Sequence, residues 1–263
     1  MVDELFSVAD RVTLVSGGSR GIGKELARGF AKRGAKVIIS GRDASTLEET
    51  ARELSSPESE VHPIVCDVSS PEEIQNLVET VVGEFGRIDT LLNVAGVNKR
   101  QRAELFSAEE YDFILDINLR GAFLLATSVG RRMIAQHSGV QINIDSLNTY
   151  APLKGVTPYA MSKGGLSIMT RGLAAEWGEF GVRVNAIAPG FILTDMTQKL
   201  WSNPTMHEWG TRNTPLGRLG KVEDLIGAAI FLASEASAFM TGQVIYVDGG
   251  FSAGLCWPID LDG

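Results

Sequence analysis

Tyr159 and Lys163 stand four residues apart, and Ser146 lies 13 residues ahead of Tyr159. On a helix an i, i+4 pair shares one face, so a phenol and an ammonium would meet there. A free phenol titrates near pH 10, about three units too high for a general base at neutral pH. An ammonium beside it favours the phenolate, and a three-unit shift corresponds to roughly 4 kcal/mol of differential stabilisation. A serine hydroxyl nearby could hydrogen-bond the oxygen of an alcohol or polarise a carbonyl. The chemistry suggested is proton exchange with a substrate oxygen. By itself a Tyr-x3-Lys spacing is commonplace, and it acquires meaning only from what surrounds it. A serine hydrolase fails on inventory, because His62, His137 and His207 are the only histidines and none relates to a G-x-S-x-G elbow. Histidine spacing for zinc is also absent, so no metal is expected.

Upstream, Val12–Ser16 runs directly into Gly17-Gly18-Ser19-Arg20-Gly21-Ile22-Gly23 and then a helix-like segment. Glycines at a strand-to-helix turn let the backbone approach a pyrophosphate, and the helix N-terminus supplies unpaired N–H groups and a favourable dipole. That context makes dinucleotide binding the reading of this loop.

The spacing Gly17-x3-Gly21-x-Gly23 resembles the short-chain dehydrogenase/reductase family, with Ser16 where threonine is usual. Asn93-Val94-Ala95-Gly96 resembles the family's Asn-Asn-Ala-Gly motif with Val94 in place of the second asparagine. Asn118, the Ser146/Tyr159/Lys163 set and Pro189-Gly190-Phe191-Ile192-Leu193-Thr194 follow in the family's order. The resemblance implies that Tyr159 exchanges the proton, Lys163 holds the nicotinamide ribose and tunes Tyr159, Ser146 binds the substrate oxygen, and Asn118 holds a relay water. Hydride would pass between the substrate carbon and a nicotinamide. The implied cofactor contacts are Gly17, Ser19, Arg20, Gly21, Ile22, Gly23, Arg42, Asp67, Val68, Asn93, Ala95, Gly96, Pro189, Gly190, Ile192 and Thr194, together with Tyr159 and Lys163. Asp67 would meet the adenine amine, with helix capping as its alternative role.

Charge at the end of the second strand selects the cofactor. NAD-preferring folds place a carboxylate there for the ribose 2′-hydroxyl. Here the segment reads Ser40-Gly41-Arg42-Asp43, and Gly41 takes the acidic position. Arg42 and Arg20 suit a 2′-phosphate. NADP(H) is the expected preference and NAD(H) is possible; Asp43 is expected to cap the next helix.

The loop Val97-Asn98-Lys99-Arg100-Gln101-Arg102 is strongly basic in a chain of net charge −8. By fold position it borders the substrate pocket, so Arg100 or Arg102 could pair with a substrate carboxylate, with Asn148 as a further candidate; a merely solvated loop is the alternative. This loop, Gly41-Arg42-Asp43 and Val247-Asp248-Gly249-Gly250 are similar to the gluconate 5-dehydrogenases and related sugar-acid reductases of the family. The resemblance implies oxidation of gluconate or reduction of 5-ketogluconate. Reduction of 3-oxoacyl-carrier-protein, general carbonyl or polyol reduction, and a non-catalytic dinucleotide sensor stay open. What Asp145, beside Ser146, does is not evident from the sequence.

These residues need a scaffold. The 263 residues are 44% hydrophobic and 21% charged, enough for a substantial core. Strand-like runs are Val12–Ser16, Lys36–Ser40, Val61–Cys66, Ile88–Asn93, Val140–Asp145, Arg183–Ile187 and Gln243–Val247. Most are continuously apolar, as strands covered on both faces are. Helical stretches alternate with them: Gly21–Arg33, Ser45–Leu54, Pro71–Phe85, Ala108–Gln136, Pro158–Gly178 and Val222–Ala233. The expected architecture is α/β, a single Rossmann-type domain over 1–263. Its doubly wound parallel sheet has about seven strands in the order 3-2-1-4-5-6-7, with helices on both faces. Asp43 and Ser70–Pro71 read as helix starts, and Gly34 and Gly139 as helix stops. Residues 191–220 break the rhythm as a substrate-covering insertion. The apolar tail 251–263, with Leu255, Trp257, Pro258 and Ile259, reads as a subunit interface, and family resemblance implies a homotetramer. The acidic balance argues against nucleic acid. No signal peptide or membrane-spanning run is apparent, and two distant cysteines, Cys66 and Cys256, fit a cytoplasmic location.

Overall fold

The structure is a computed structural model and describes residues 4–57, 59–254, 256, 257 and 259. Five consecutive buried residues form β1 (Val12–Ser16) at the middle of a parallel sheet. Its companions are β2 (Lys36–Gly41), β3 (Val61–Val65), β4 (Thr90–Asn93), β5 (Gly139–Ile144) and β6 (Val182–Pro189). Two short strands, β7 (Ile192–Leu193) and β8 (Gly220–Lys221), pair only with each other, and β9 (Val244–Val247) closes the main sheet. The order is β3-β2-β1-β4-β5-β6-β9, the expected doubly wound sheet with β9 as its seventh strand. Every pair is parallel, with Leu14 opposite Ile38 on one side and Leu91 on the other.

Alternate side chains supply two cores. Val15, Ile39, Leu92 and Ile142 face α1 (Gly21–Ala31) and α2 (Ala44–Leu54), where Leu26, Phe30 and Leu47 are fully buried. Leu14, Ile38, Leu91 and Val184 face α3 (Pro71–Phe85) and two later helices, α5 (Ala122–Gln136) and α6 (Thr157–Trp177). Between α3 and α5 lies α4 (Ala108–Leu115). The insertion carries α7 (Asp195–Trp201) and α8 (Pro204–Arg212), and α9 (Ile226–Ala233) returns to the first core.

Most boundaries have the expected local cause. The Asp43 side chain accepts from the Thr46 N–H at 2.7 Å, and Ser70 accepts from the Glu73 N–H with Pro71 opening α3. Gly34 sits just past α1 at φ +79°. Gly139 is a correction: it belongs to β5, and His137 at φ 52° ends α5 instead. The glycine is needed for packing, since a Cβ there would lie 2.4 Å from Met133 Cγ. The single helix expected over Ala108–Gln136 is broken by a π-helical turn, Asp116–Gly121. This stretch also corrects the expectation that no segment could span a membrane. By length and composition alone it could, with mean hydropathy 1.3 over its most apolar window, but half of that window is buried in the fold.

Candidate active site

The strand order reverses between β1 and β4, and in such sheets ligands bind at the carboxyl ends of the strands beside that switch point. The glycine loop follows β1. Gly17 has φ +70°, and a Cβ on it would stand 2.8 Å from Ala95 N and Cα, so this loop and the one after β4 touch backbone to backbone. A Cβ on Gly23 would lie 2.2 Å from Gly17 O, which is how α1 seats against its own entry loop. Arg20 stands at the N-cap of α1 in extended conformation and makes no side-chain cap, so the helix start is open to an anion. Gly21 faces Thr194, whose Cβ would lie 3.9 Å from a Cβ on the glycine, so the segment after β6 overhangs this loop. These features fit a dinucleotide.

Around the expected adenosine end, Gly41 lies beside Ser19, with 3.4 Å between a Cβ on the glycine and Ser19 Oγ. Arg42 is half-exposed, its Nη1 3.9 Å from Asp67 Oδ2. Asp67 Oδ1 accepts from the Ser69 N–H and hydroxyl, so this carboxylate shapes its own turn, and Ser70 caps α3. Val68 is buried, with its carbonyl against Gly121. Asn93 gives its amide to Ala122 O at 2.9 Å and so fastens β4 to α5. Gly190 N–H donates to Val247 O, and a Cβ on Gly190 would meet Asp248 Cα at 2.5 Å. Of the residues expected at the cofactor, Pro189 ends β6, Ile192 opens β7 and Ile22 packs on the first core.

Ser146 follows β5, and Tyr159 and Lys163 lie in the first turns of α6. The Ser146 hydroxyl accepts from the Asn148 N–H at 3.2 Å and from Asn148 Nδ2 at 3.1 Å, leaving its own proton for another acceptor. Lys163 is 4% exposed; its Nζ donates to Ile144 O at 2.6 Å and lies 5.7 Å from the Tyr159 ring centroid. Burial pulls Lys163 down to about 8 against the pull of Asp145. The net effect on the Tyr159 phenol differs from the simple expectation. Burial pushes it up, the Ser146 hydrogen bond opposes this, the Asp145 charge pushes it further up, and the Arg100 charge opposes. Desolvation outweighs the Ser146 hydrogen bond and the Arg100 charge at the phenol.

Asn118, set by the π turn, spends its side chain on Val97: Oδ1 accepts from Val97 N–H at 2.7 Å, while Nδ2 donates to Val97 O and to Ser162 Oγ. The Ser162 contact was not legible from the motif. Gly96 keeps space open between this amide and the lysine, since a Cβ on it would lie 3.4 Å from Asn118 Oδ1 and 3.8 Å from Lys163 Nζ.

The three tentative substrate residues separate. Asn148 is committed to Ser146 and, through Oδ1, to the Leu153 N–H. Arg102 is paired with Glu104 at 2.7 Å. Lys99 is paired with Glu110. Arg100 alone of the loop's cations has no carboxylate partner among the described residues, and it lies within electrostatic reach of Tyr159. Asp145, unexplained by the sequence, is 2% exposed, accepts from Thr149 Oγ1 at 2.6 Å through Oδ1, and leaves Oδ2 unbonded. Burial raises it to about 6.

The insertion builds its own small core, with Phe191 packed edge-on to Trp201 and to Phe251 and tilted against Trp209. The Leu216 N–H donates to Gly249 O at 3.0 Å, joining it to the loop after β9. In the tail, Trp257 and Ile259 are exposed, while Leu255, Pro258 and 260–263 lie outside the described residues. Among the described residues no group of three or more His, Cys, Asp or Glu could hold a metal.

Residues 17–252 match a family model described as enoyl-(acyl carrier protein) reductase. A gluconate 5-dehydrogenase of Gluconobacter oxydans is 37% identical over 252 residues, 96% of this chain and 98% of its own. A 3-oxoacyl-[acyl-carrier-protein] reductase of Thermotoga maritima is 38% identical over 240 residues, 91% of this chain and 97% of its own. The crystal structure of a gluconate 5-dehydrogenase from Burkholderia cenocepacia, in complex with NADP and tartrate, superposes with a TM-score of 0.93 at 34% identity, over 96% of this chain and 99% of that one. The chain belongs to the short-chain dehydrogenase/reductase family of oxidoreductases.

Proposed function

We propose that this chain interconverts a secondary alcohol and a ketone on a sugar acid, of the gluconate/5-ketogluconate kind, with NADP(H) preferred over NAD(H). The observation that carries the substrate class is Arg100. It is a guanidinium without a carboxylate partner among the described residues, near the Tyr159 phenol, in a chain of net charge −8. A guanidinium pairs a carboxylate bidentately, fixing the acid end while the reacting carbon lies at Tyr159. The gluconate 5-dehydrogenase relatives support this reading.

A bound nicotinamide supplies the hydride carrier and, when oxidised, a positive charge. The open start of α1 and the Gly17–Gly23 loop would hold its pyrophosphate, and Lys163 its ribose. Arg42, Arg20 and the absence of a carboxylate at Gly41 suit a 2′-phosphate. Ser146 donates to the substrate oxygen and Tyr159 exchanges its proton. Lys163 and Asn118, with the gap that Gly96 leaves between them, offer a route by which the phenol's proton is replaced through water.

Reduction of a 3-oxoacyl thioester is the alternative tested beside it, because a Thermotoga maritima reductase of that kind is 38% identical. An enzyme of either kind would be cytoplasmic. Phe113, Phe123, Met161 and Ile168, exposed on α4, α5 and α6, suit burial between subunits of a homotetramer. The test is a panel of aldonates, ketoaldonates, uncharged ketones and an acetoacetyl thioester, each with NADPH and NADH or their oxidised forms. Turnover of gluconate or 5-ketogluconate with the phosphorylated cofactor is expected. Silence across the sugar acids with good activity on uncharged ketones overturns the proposal.

A further inference from the structure

Glu110 lies on α4, outside the catalytic set, yet the basic loop is fastened to it from two sides. Lys99 Nζ donates to its Oε1 and Gln101 Nε2 to its Oε2, and the Ser107 N–H donates to Oε2 at 3.2 Å. The carboxylate is itself held in place, because the Glu110 N–H donates to Ser107 Oγ in a capping box at the start of α4. The other side of the loop is tied down too, by the Gln101 N–H donating to Gly155 O at 3.0 Å, just before α6. Arg100 is the one residue between the two tethers. Both neighbours are hydrogen-bonded to Glu110 on α4, and the Arg100 charge acts on the Tyr159 phenol. Glu110 also neutralises Lys99, so the pairing pattern leaves Arg100 as the loop's uncommitted cation among the described residues.

We propose that Glu110 is a positioning residue for substrate specificity: by clamping Lys99 and Gln101 to α4 it holds the Arg100 guanidinium toward Tyr159, where a substrate carboxylate binds. This rests on the reading of Arg100 given above. A guanidinium already oriented binds a carboxylate without first ordering a loop, so loss of the clamp should weaken ground-state binding and leave the chemical step alone.

Four variants test it with 5-ketogluconate and NADPH: Arg100→Gln, Glu110→Ala, Glu110→Gln and the Arg100→Gln/Glu110→Ala double variant. Arg100→Gln should raise KM by about 10- to 100-fold, the scale of a charge-assisted pair. Glu110→Ala should raise KM roughly 3- to 10-fold with kcat within about twofold, the scale of one newly ordered side chain. In the double variant the Glu110 effect should vanish, since there is no guanidinium left to aim. Should Glu110→Ala not fold, Glu110→Gln carries the test, because glutamine also completes a capping box. It should raise KM less, and again only while Arg100 is present. Additive effects in the double variant, or a loss in kcat at constant KM, overturn the positioning role. An Arg100→Gln enzyme with unchanged KM overturns the carboxylate reading itself.

Discussion

Asp145→Asn is the perturbation whose size follows most directly from the structure. The carboxyl is 2% exposed, one oxygen takes the Thr149 hydroxyl and the other has no partner. Burial raises it from 3.8 to about 6. The folded protein therefore holds this proton more tightly than the unfolded chain. The associated stability is complete below pH 3.8 and lost as the pH rises through about 6. The whole gap corresponds to about 3 kcal/mol. Roughly half of it is expressed between pH 5 and pH 8, because the rest is already lost below pH 5, where the unfolded acid ionises and the folded one does not. Asparagine keeps the hydrogen bond from Thr149 and does not titrate, so its own packing cost is the same at both pH values. Lys163 acts in the same direction. Without the Asp145 charge its ammonium is held less well, and the variant gains when that proton leaves at higher pH. Urea unfolding of both proteins at pH 5 and pH 8 measures the double difference. The variant should gain at least about 1 kcal/mol on the wild type from the lower to the higher pH. Parallel pH dependences would refute the assignment of Asp145 as a carboxyl whose ionisation opposes folding.

Three further outcomes are expected. Tyr159→Phe should lower turnover by at least about 100-fold, the contribution of a positioned proton donor, while quenching of protein fluorescence by NADPH still titrates; unimpaired turnover would remove Tyr159 from the chemistry. Gly41→Asp restores a carboxylate where its Cβ has 3.4 Å to Ser19 Oγ. The ratio of kcat/KM for NADPH over NADH should fall by about tenfold or more, and an unchanged ratio would place the selectivity elsewhere. Gly17→Ala puts a Cβ 2.8 Å from the Ala95 backbone at φ +70°, so NADPH affinity measured by calorimetry should drop by at least about tenfold. Affinity within twofold of wild type would show that the two loops can separate at no cost.

Local patterns carried the architecture. Continuously apolar runs marked both-face burial, and each of the seven main strands was found within two residues of its place. Asp43, Ser70 and the proline after it located helix starts because caps act through side chains a few residues away. The glycine loop and the Tyr159/Lys163 pair were legible for the same reason: their geometry is set within one turn. Gly139 was misread since its reason lies in Met133 across a helix–strand packing, which spacing does not reveal. The π turn at Asn118 was hidden inside a uniformly helical apolar pattern.

What the sequence by itself determined was the fold, the family and the order of the candidate catalytic groups, all of which rest on local period and fixed spacing. What only the tertiary structure decided was allegiance among charges and amides. Arg100, Arg102 and Lys99 are three similar cations in one loop, and distance to Glu104 and Glu110 separates them. Asn148 and Asn93 are indistinguishable amides in the sequence, and only the fold shows one donating to Ser146 and the other to Ala122. The direction of the Tyr159 shift belongs to the same class. A neighbouring lysine argues downward, but the cost of burying a phenolate depends on everything packed around it, and that is a property of the fold.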